Sequence, residues 1–460
     1  MKDRRNPLNI AWKAWRDERG GPAAIAARQQ ARLVELVEFA RKCSPYYRSL
    51  YAGLPPHVSD VRTLPPVTKP ELMENFDGWV TDPAVTRSGV EEFVADESLV
   101  GESYLGKYMV WTTSGTTGEP AILIHDWGSW RVMELLPRFR GYRGFLKPRD
   151  FFKIVQGGAR SAAIIVTGGH FGGNVAVEQV RRQSPRMAER VRVFSALTPL
   201  DELVEELNAF QPVVLGGYAS ALALLAREQE AGRLRIRPVL VSTSGEMLAP
   251  AVRAQIESTF ECRMPESYGA SEVGAIALAC GHGWMHVQSD WVILEPVDED
   301  YKPVPPGEPS STVLVTGLAN RVQPIIRYDL GDSVTVKPEA CTCGRPLLAI
   351  RVVGRTNDIL SFESDDGKEV QLLPLSLGTV IEETEGVRRF QAIQTGPATL
   401  GVRLEPVPGA DGEKVWEAVA GRLDEFLEDQ GLLTVEIQKD PEPPKPNPKS
   451  GKLRQVWSAL

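Results

Sequence analysis

Cysteine is scarce in this chain, with five residues in 460, an odd number. That excludes a dense disulfide framework of the secreted kind and points to a reducing, cytoplasmic setting. No apolar run approaches the roughly 18 residues that span a bilayer, so no membrane partner is expected. The opening segment, MKDRRNPLNIAWKAWRDERGG, has basic residues but no apolar stretch behind them, so no secretory signal is expected there. Positive charge is not in excess either. A net charge of -8 disfavours a nucleic-acid backbone as the main partner. Neither a G-x-x-x-x-G-K-[ST] loop nor a G-x-S-x-G elbow occurs. What is present is an ordinary globular composition, 24% charged and 42% hydrophobic, over a length that suits two or three domains.

The most concentrated feature is WTTSGTTGEPAILIHD, Trp111 to Asp126. Its positions Thr112 to Gly118 hold five hydroxyl residues and two glycines. Glycine lets backbone approach a ligand closely, and successive N–H groups with Ser and Thr hydroxyls make a concave anion site. Apolar flanks (Tyr108 to Trp111, Ala121 to Ile124) predict strand, loop, strand. A polyphosphate loop and a solvated Ser/Thr/Gly hairpin both fit these residues.

Upstream, Gln29 to Cys43 repeats Leu33, Val34, Val37, Phe39 and Ala40 at helical spacing, and Leu64 to Phe76 is a proline-punctuated turn with a cap at Thr68 before a short helix. Downstream, strand-like runs at Phe151 to Val155, Ala162 to Val166, Val191 to Phe194, Val213 to Leu215 and Val239 to Val241 alternate with helical patterns at Leu200 to Phe210 and Ala219 to Ala231. Such alternation predicts an α/β fold with parallel sheet. Two glycine-rich loops, Thr167 to Gly173 and Leu215 to Ser220, suit plain βα connections as well as ligand contact, and His170 fits a structural role as well as a pocket wall. After position 355 the character changes. Strand-like runs at Gly367 to Leu377, Val387 to Thr395, Leu400 to Leu404 and Leu433 to Ile437 surround a long helix, Glu413 to Gln430, with Trp416, Val419, Leu423 and Phe426 inward. This predicts a small α+β domain, 356–460, following a large α/β domain, 1–355.

Several short strings extend the pattern. They are Ser244-Gly245-Glu246; Ser267-Tyr268-Gly269-Ala270-Ser271-Glu272; Ile326 to Asp332 (IRYDLGD); Val353-Gly354-Arg355-Thr356-Asn357-Asp358; and Pro448-Lys449-Ser450-Gly451-Lys452. An aromatic beside glycine can stack on a base, and a carboxylate past a turn can hold Mg²⁺. Each string alone also fits an ordinary turn. Their order, with the loop at Thr113 to Gly118 and the N-terminal ARKCSPYYRSLY and LPPVTKPEL, resembles the adenylate-forming superfamily, in particular its phenylacetate–CoA ligase-like branch.

That resemblance implies roles. Thr113, Ser114, Gly115, Thr116, Thr117 and Gly118 would hold the phosphates of ATP, with Gly245, Glu246 and Gly269 also at the nucleotide. Tyr268 would stack on adenine, Ser271 contact the α-phosphate, Glu272 ligate Mg²⁺ and Asp332 accept from the ribose hydroxyls. Arg355 would contact nucleotide oxygens, Asn357 sit at a hinge, and Lys452, with Lys449 as the fallback, supply the catalytic cation. The chain departs from the usual pattern at Glu119, where Lys is common, at Ser271, where Thr is common, and at Asn357, where Asp is common.

Three cysteines form a second group. Cys280 lies near His282 and His286, and about sixty residues later come Cys341 and Cys343. Three thiolates and one imidazole suit a closed Zn²⁺ site, although free reduced thiols fit as well. By resemblance to zinc-carrying members of the branch His286 is the fourth ligand, with His282 its competitor, and the site would tie a long excursion, Val287 to Ala340, back to the core.

The implied chemistry is ATP-dependent activation of a carboxylic acid, by resemblance an aromatic one, as an acyl-adenylate with release of pyrophosphate, then transfer to the thiol of CoA. Passage to another acceptor, such as a carrier-protein thiol or an amine, uses the same nucleotide residues, and so does activation of an unusual oxyacid. A zinc-stabilised scaffold with a vestigial site is the reading from another class. A homodimer is expected by resemblance.

Overall fold

The computed structural model describes residues 7–113, 120–141, 145–165, 167–196, 198–244, 250–352, 360–364, 367–372, 374–445 and 455–460. Helices open the chain at Pro7–Arg19, Gly21–Cys43 and Pro45–Leu50. The second buries Leu33, Leu36, Val37 and Ala40 on one face, and it ends where Ser44 turns the chain and Pro45 starts the next helix. Ser44 Oγ accepts from Tyr47 N at 3.3 Å and donates to the carbonyl of Gly78 at 2.9 Å. Tyr47 Oη and Trp79 Nε1 both donate to the carbonyl of Pro324, at 3.0 and 2.6 Å, so this helical layer is fastened to strands far along the chain.

β1 (Tyr108–Thr112) and β2 (Ile122–Asp126) pair antiparallel with Thr112 opposite Ile122, as strand, loop, strand predicts. β3 (Ser161–Ile165), β4 (Val191–Ser195), β5 (Val214–Gly217) and β6 (Leu240–Thr243) form a parallel sheet in the order β4-β3-β5-β6. Helices Leu200–Phe210 and Ala219–Glu230 cover it, burying Leu203, Leu207, Leu222 and Leu225. Next come β7 (Ser267–Ala270), β8 (Gly274–Ala279), β9 (Met285–Val287), β10 (Val292–Val297), β11 (Thr312–Gly317), β12 (Tyr328–Asp329), β13 (Val334–Val336) and β14 (Ala349–Val352). They build two antiparallel sheets, β10-β11-β12 and β13-β14-β9-β8-β7. The last part has a hairpin, β15 (Leu360–Glu363) with β16 (Glu369–Leu372), and a sheet of β17 (Val387–Gly396), β18 (Thr399–Pro406), β19 (Glu436–Lys439) and β20 (Val456–Ser458), ordered β19-β18-β17-β20. Helix Gly412–Asp429 packs on this sheet through Val415, Val419, Leu423 and Phe426, inside a core of its own. Among the described residues, no helix is long and apolar enough to cross a membrane.

Three expectations are corrected. Phe151 to Val155 is not a strand but part of a helix, Pro148–Gln156. Pro148 suits a first turn, and the Asp150 carboxylate accepts from Lys147 N at 2.8 Å, so capping outweighs the β-propensity of the run. Nor is the run core: Phe152 is 69% exposed. Gly367 to Leu377 is not one strand, because it gives way to helix Pro374–Glu382 where proline can start a helix but cannot serve a sheet interior. Val287 to Ala340 is no excursion, since it supplies β10 and β11, whose Val313, Leu314 and Val315 are wholly buried.

Buried charge joins the helical layer to these sheets. Asp290 is fully buried, and its Oδ1 lies 2.8 Å from Arg140 Nη1 while its Oδ2 lies 3.6 Å from Arg32 Nη1. Arg140 also reaches Glu18 at 2.6 Å and Gln288 Oε1 at 2.7 Å, and the Arg32 guanidinium lies 3.3 Å from the centre of the Trp291 ring. Removing one member of such a set leaves buried charge without compensation. Asp290→Ala is therefore expected to lower the unfolding free energy by about 3–5 kcal/mol in urea titrations. Lys302→Ala, which breaks an exposed pair with Asp300, is expected to cost no more than about 1 kcal/mol. Equal effects would count against the network.

Candidate nucleotide site and metal cluster

The ends of the Ser/Thr/Gly loop are pinned. Thr113 N donates to the carbonyl of Ala121 at 3.0 Å, and Ala121 N donates to Thr113 Oγ1 at 2.9 Å. Thr112 N donates to the carbonyl of His170 at 2.7 Å, so the glycine-rich loop after β3 runs alongside. That loop turns through Gly168 and Gly169, both at positive φ, where a side chain would strain the backbone. On the other side, Trp111 Nε1 donates to the carbonyl of Ser271 at 3.2 Å. The Trp111 ring stacks on His125 at 4.3 Å and 10°. His125 is wholly buried with Nδ1 3.0 Å from Ser129 Oγ, and that burial pushes its pKa down to about 3.

β7 and β8 form a tight hairpin whose turn carries Ser271 and Glu272. Gly269 is needed there, since a Cβ would come within 2.6 Å of the carbonyl oxygen of Gly274. Two tyrosine–carboxylate bonds cross between this hairpin and the segment 328–332. Tyr268 Oη donates to Asp332 Oδ2 at 2.9 Å, and Tyr328 Oη donates to Glu272 Oε1 at 2.9 Å. Asp332 and Tyr328 are buried, Glu272 is half-buried and Ser271 is exposed.

The segment 327–332 is itself held from several sides. The Asp329 carboxylate accepts from Thr312 Oγ1 at 2.5 Å, Tyr301 Oη at 2.9 Å and Gly331 N at 2.8 Å. Val67 adds to β12 as a short parallel bridge, with Val67 N to Arg327 O at 2.9 Å and Asp329 N to Val67 O at 3.0 Å. The proline-rich turn before Thr68 thus has a job, which is to brace the carboxylate-bearing segment.

Thr113, Tyr268, Gly269, Ser271, Glu272 and Asp332 are therefore brought into one connected region. Ser114 to Gly118, with Glu119, and Gly245, Glu246, Arg355, Asn357, Lys449 and Lys452 lie outside the described residues. β14 ends at Val352, paired with Val334, two residues beyond Asp332. Sequence reasoning missed the supporting roles of Trp111, His125, Tyr328 and Asp329. Tyr328 and Asp329 stand inside a quoted string, but their partners are distant in sequence.

Cys280, His286, Cys341 and Cys343 place their ligand atoms within 4.8 Å of one another. A tetrahedral ion with bonds of about 2.3 Å separates its sulfurs by about 3.8 Å. Cys280 Sγ and Cys341 Sγ are 3.8 Å apart, and Cys343 Sγ is 3.1 Å from His286 Nε2. His286 is buried, with Nδ1 3.0 Å from the carbonyl of Leu347, which assigns the proton to Nδ1 and turns the Nε2 lone pair toward the thiols. His282 is exposed and lies outside the cluster, 3.3 Å from Thr342 Oγ1. Burial pushes the Cys343 thiol up to about 11, so a thiolate there needs a cation beside it. The donor set fits zinc. β8 separates Glu272 from Cys280 by roughly 20 Å of extended chain, so a metal here would be remote from Glu272.

His125 generates a prediction. The unfolded chain takes up a proton near pH 6.5, whereas the folded chain refuses it until about pH 3. Stability from neutral His125 is fully present above pH 6.5 and is lost as pH falls toward 3. His125→Gln is expected to flatten this acid-side loss, measured as urea midpoints between pH 7 and pH 4. An unchanged slope would mean that His125 does not carry it.

No family model matches the chain. The phenylacetate-coenzyme A ligase of Thermus thermophilus is 24% identical over 465 aligned positions, covering 94% of this chain and 96% of that protein. Protein CapK of Staphylococcus aureus is 22% identical over 72% of this chain and 68% of its own length. The solved structure of 2-hydroxyisobutyryl-CoA ligase with 2-HIB-AMP and CoA, in the thioesterification state, superposes with a TM-score of 0.57 at 21% identity, covering 95% of this chain and 89% of that one. The chain is thus similar over nearly its whole length to a phenylacetate-coenzyme A ligase, and its fold is that of 2-hydroxyisobutyryl-CoA ligase.

Proposed function

We propose that this protein is an AMP-forming acid–CoA ligase, which activates a carboxylic acid with ATP as an acyl-adenylate and passes the acyl group to the thiol of CoA. The observation that most supports this is the meeting of the Tyr268–Glu272 hairpin, the Asp332 segment and the base of the Ser/Thr/Gly loop in one place. An aromatic acid is the proposed substrate class, because the phenylacetate–CoA ligase of Thermus thermophilus aligns over nearly the whole chain.

The chemistry follows from charge. A carboxylate attacking the α-phosphorus brings two anions to contact range, where salt screens little. The residues must align and neutralise them rather than supply a nucleophile. Backbone and hydroxyls of Thr113 to Gly118 hold the phosphates, with Gly245 and Glu246 beside the nucleotide. Tyr268 takes the adenine, Gly269 keeps the backbone close, Ser271 meets the α-phosphate and Asp332 accepts from the ribose. Glu272 offers hard carboxylate oxygen to Mg²⁺, whose part is to offset phosphate charge. Arg355 and Lys452 add positive charge, Lys452 as a mobile cation on a lid spanning 356–460 that swings about Asn357. As the carboxylate oxygen bonds to the α-phosphorus, pyrophosphate leaves. The CoA sulfur then attacks the acyl carbon, and AMP leaves with the electron pair. Cys280, His286, Cys341 and Cys343 would hold a structural Zn²⁺ that ties β8, β9 and the loop before β14 together. The protein works in a reducing cytoplasm, a setting that suits five cysteines none of which is paired in a disulfide.

Screening a panel of acids for pyrophosphate release, with and without CoA, tests this. The expected result is pyrophosphate from acid and ATP, with AMP released into solution only when CoA is added. No ATP–pyrophosphate exchange with any acid would end the proposal, while turnover with a carrier protein or amine instead of CoA would replace the acceptor. Lys452→Ala is expected to reduce adenylation at least 100-fold and to leave thioesterification of supplied acyl-adenylate within a few-fold; an equal fall in both would remove the lysine from its role. Metal analysis should find about one zinc per chain, and the double variant Cys341→Ser with Cys343→Ser should lose it and melt earlier with ATP affinity kept.

A further inference from the structure

Among the described residues, Glu272 and Asp332 stand out in how they are held. Each receives a tyrosine hydroxyl from the opposite segment: Tyr328, four residues before Asp332, serves Glu272, and Tyr268, four residues before Glu272, serves Asp332. We infer that Tyr328 is a positioning residue, which aims the Glu272 carboxylate at its cation, and that Tyr268 does the same for Asp332 toward the ribose, in addition to any stacking by its ring. This rests on the ligase reading above.

The physical grounds are three. Tyr328 is 4% exposed and belongs to the same buried cluster as Val67, Ile326 and Leu330, so packing fixes where its hydroxyl can be. Glu272 is half-buried on a turn, and a side chain with that much torsional freedom would lose entropy on meeting a metal unless something ordered it first. A tyrosine hydroxyl is also a neutral donor. It occupies one lone pair of Oε1 and leaves the full negative charge, with the remaining acceptor positions, available to a hard cation. An Arg or Lys in its place would orient the carboxylate but cancel the charge that the metal needs. Because the two bonds cross, the hairpin turn and the segment 328–332 behave as one body, and the cation position is coupled to the ribose position.

Tyr328→Phe removes only the hydroxyl and keeps the ring in the core. ATP binding to the full chain is followed by calorimetry across a Mg²⁺ titration without acid. We expect the half-saturating Mg²⁺ concentration to rise about tenfold, the loss of one hydrogen bond to a charged group. ATP affinity at saturating Mg²⁺ should stay within about threefold, and thioesterification of supplied acyl-adenylate should be unchanged. Glu272→Gln combined with Tyr328→Phe should have the Mg²⁺ dependence of Glu272→Gln alone. Tyr268→Phe should leave the Mg²⁺ midpoint in place and narrow the preference for ATP over 2′-deoxy-ATP. An unmoved midpoint in Tyr328→Phe, additive effects in the double variant, or the same midpoint shift in Tyr268→Phe overturns the assignment even where the parent is an active ligase. A parent chain that binds ATP no better with Mg²⁺ than without fails the ligase reading itself.

Discussion

A polyphosphate bound by backbone N–H groups is held only as firmly as that backbone is held, because donors that must reorganise to meet a charge lose much of what they offer. The neck of the Ser/Thr/Gly loop satisfies this condition from three directions. Thr113 and Ala121 close it on itself, Thr112 is bonded to the carbonyl of His170, and the Trp111 indole reaches the carbonyl of Ser271. Beneath it His125 stacks on Trp111 and stays neutral because it is buried, so no titration near neutral pH disturbs the floor of the site.

The same economy of local flexibility runs through the large unit. Val67 adds itself to β12, Tyr47 and Trp79 share the carbonyl of Pro324, and Asp290 anchors Arg140 and Arg32. These contacts lock the N-terminal part of the chain to β12, which carries Tyr328, and to the segments around Pro324 and Asp290. On the far side of β8, the three thiols and His286 gather where the sheet would otherwise have loose ends. The last hundred residues build a core of their own around Val419, Leu423 and Phe390. The ligase proposed above would use such a contrast, with one body held firmly and another free to move against it.

Particular residues show how far sequence reasoning reached. The hairpin was legible because short apolar runs, now β1 and β2, flank a stretch rich in Ser, Thr and Gly. Leu200–Phe210 was legible because its period is helical and its buried face is continuous. Phe151 to Val155 misled, because an aromatic and β-branched run signals a strand while a proline and an N-terminal carboxylate had already committed it to a helix. The choice between His282 and His286 could not be made from spacing. It turns on which imidazole is buried with its second nitrogen bonded to a carbonyl, as His286 is to that of Leu347.

By itself the sequence determined the class of fold, the order of the short glycine-, hydroxyl- and carboxylate-bearing strings and the identity of the thiols, because these depend on residue types and on spacing along the chain. Only the tertiary structure decided that Tyr328 serves Glu272, that Tyr268 serves Asp332 and that Val67 braces the segment between. A hydrogen bond depends on a separation of about 3 Å in space and an angle, and neither is encoded by how many residues lie between donor and acceptor.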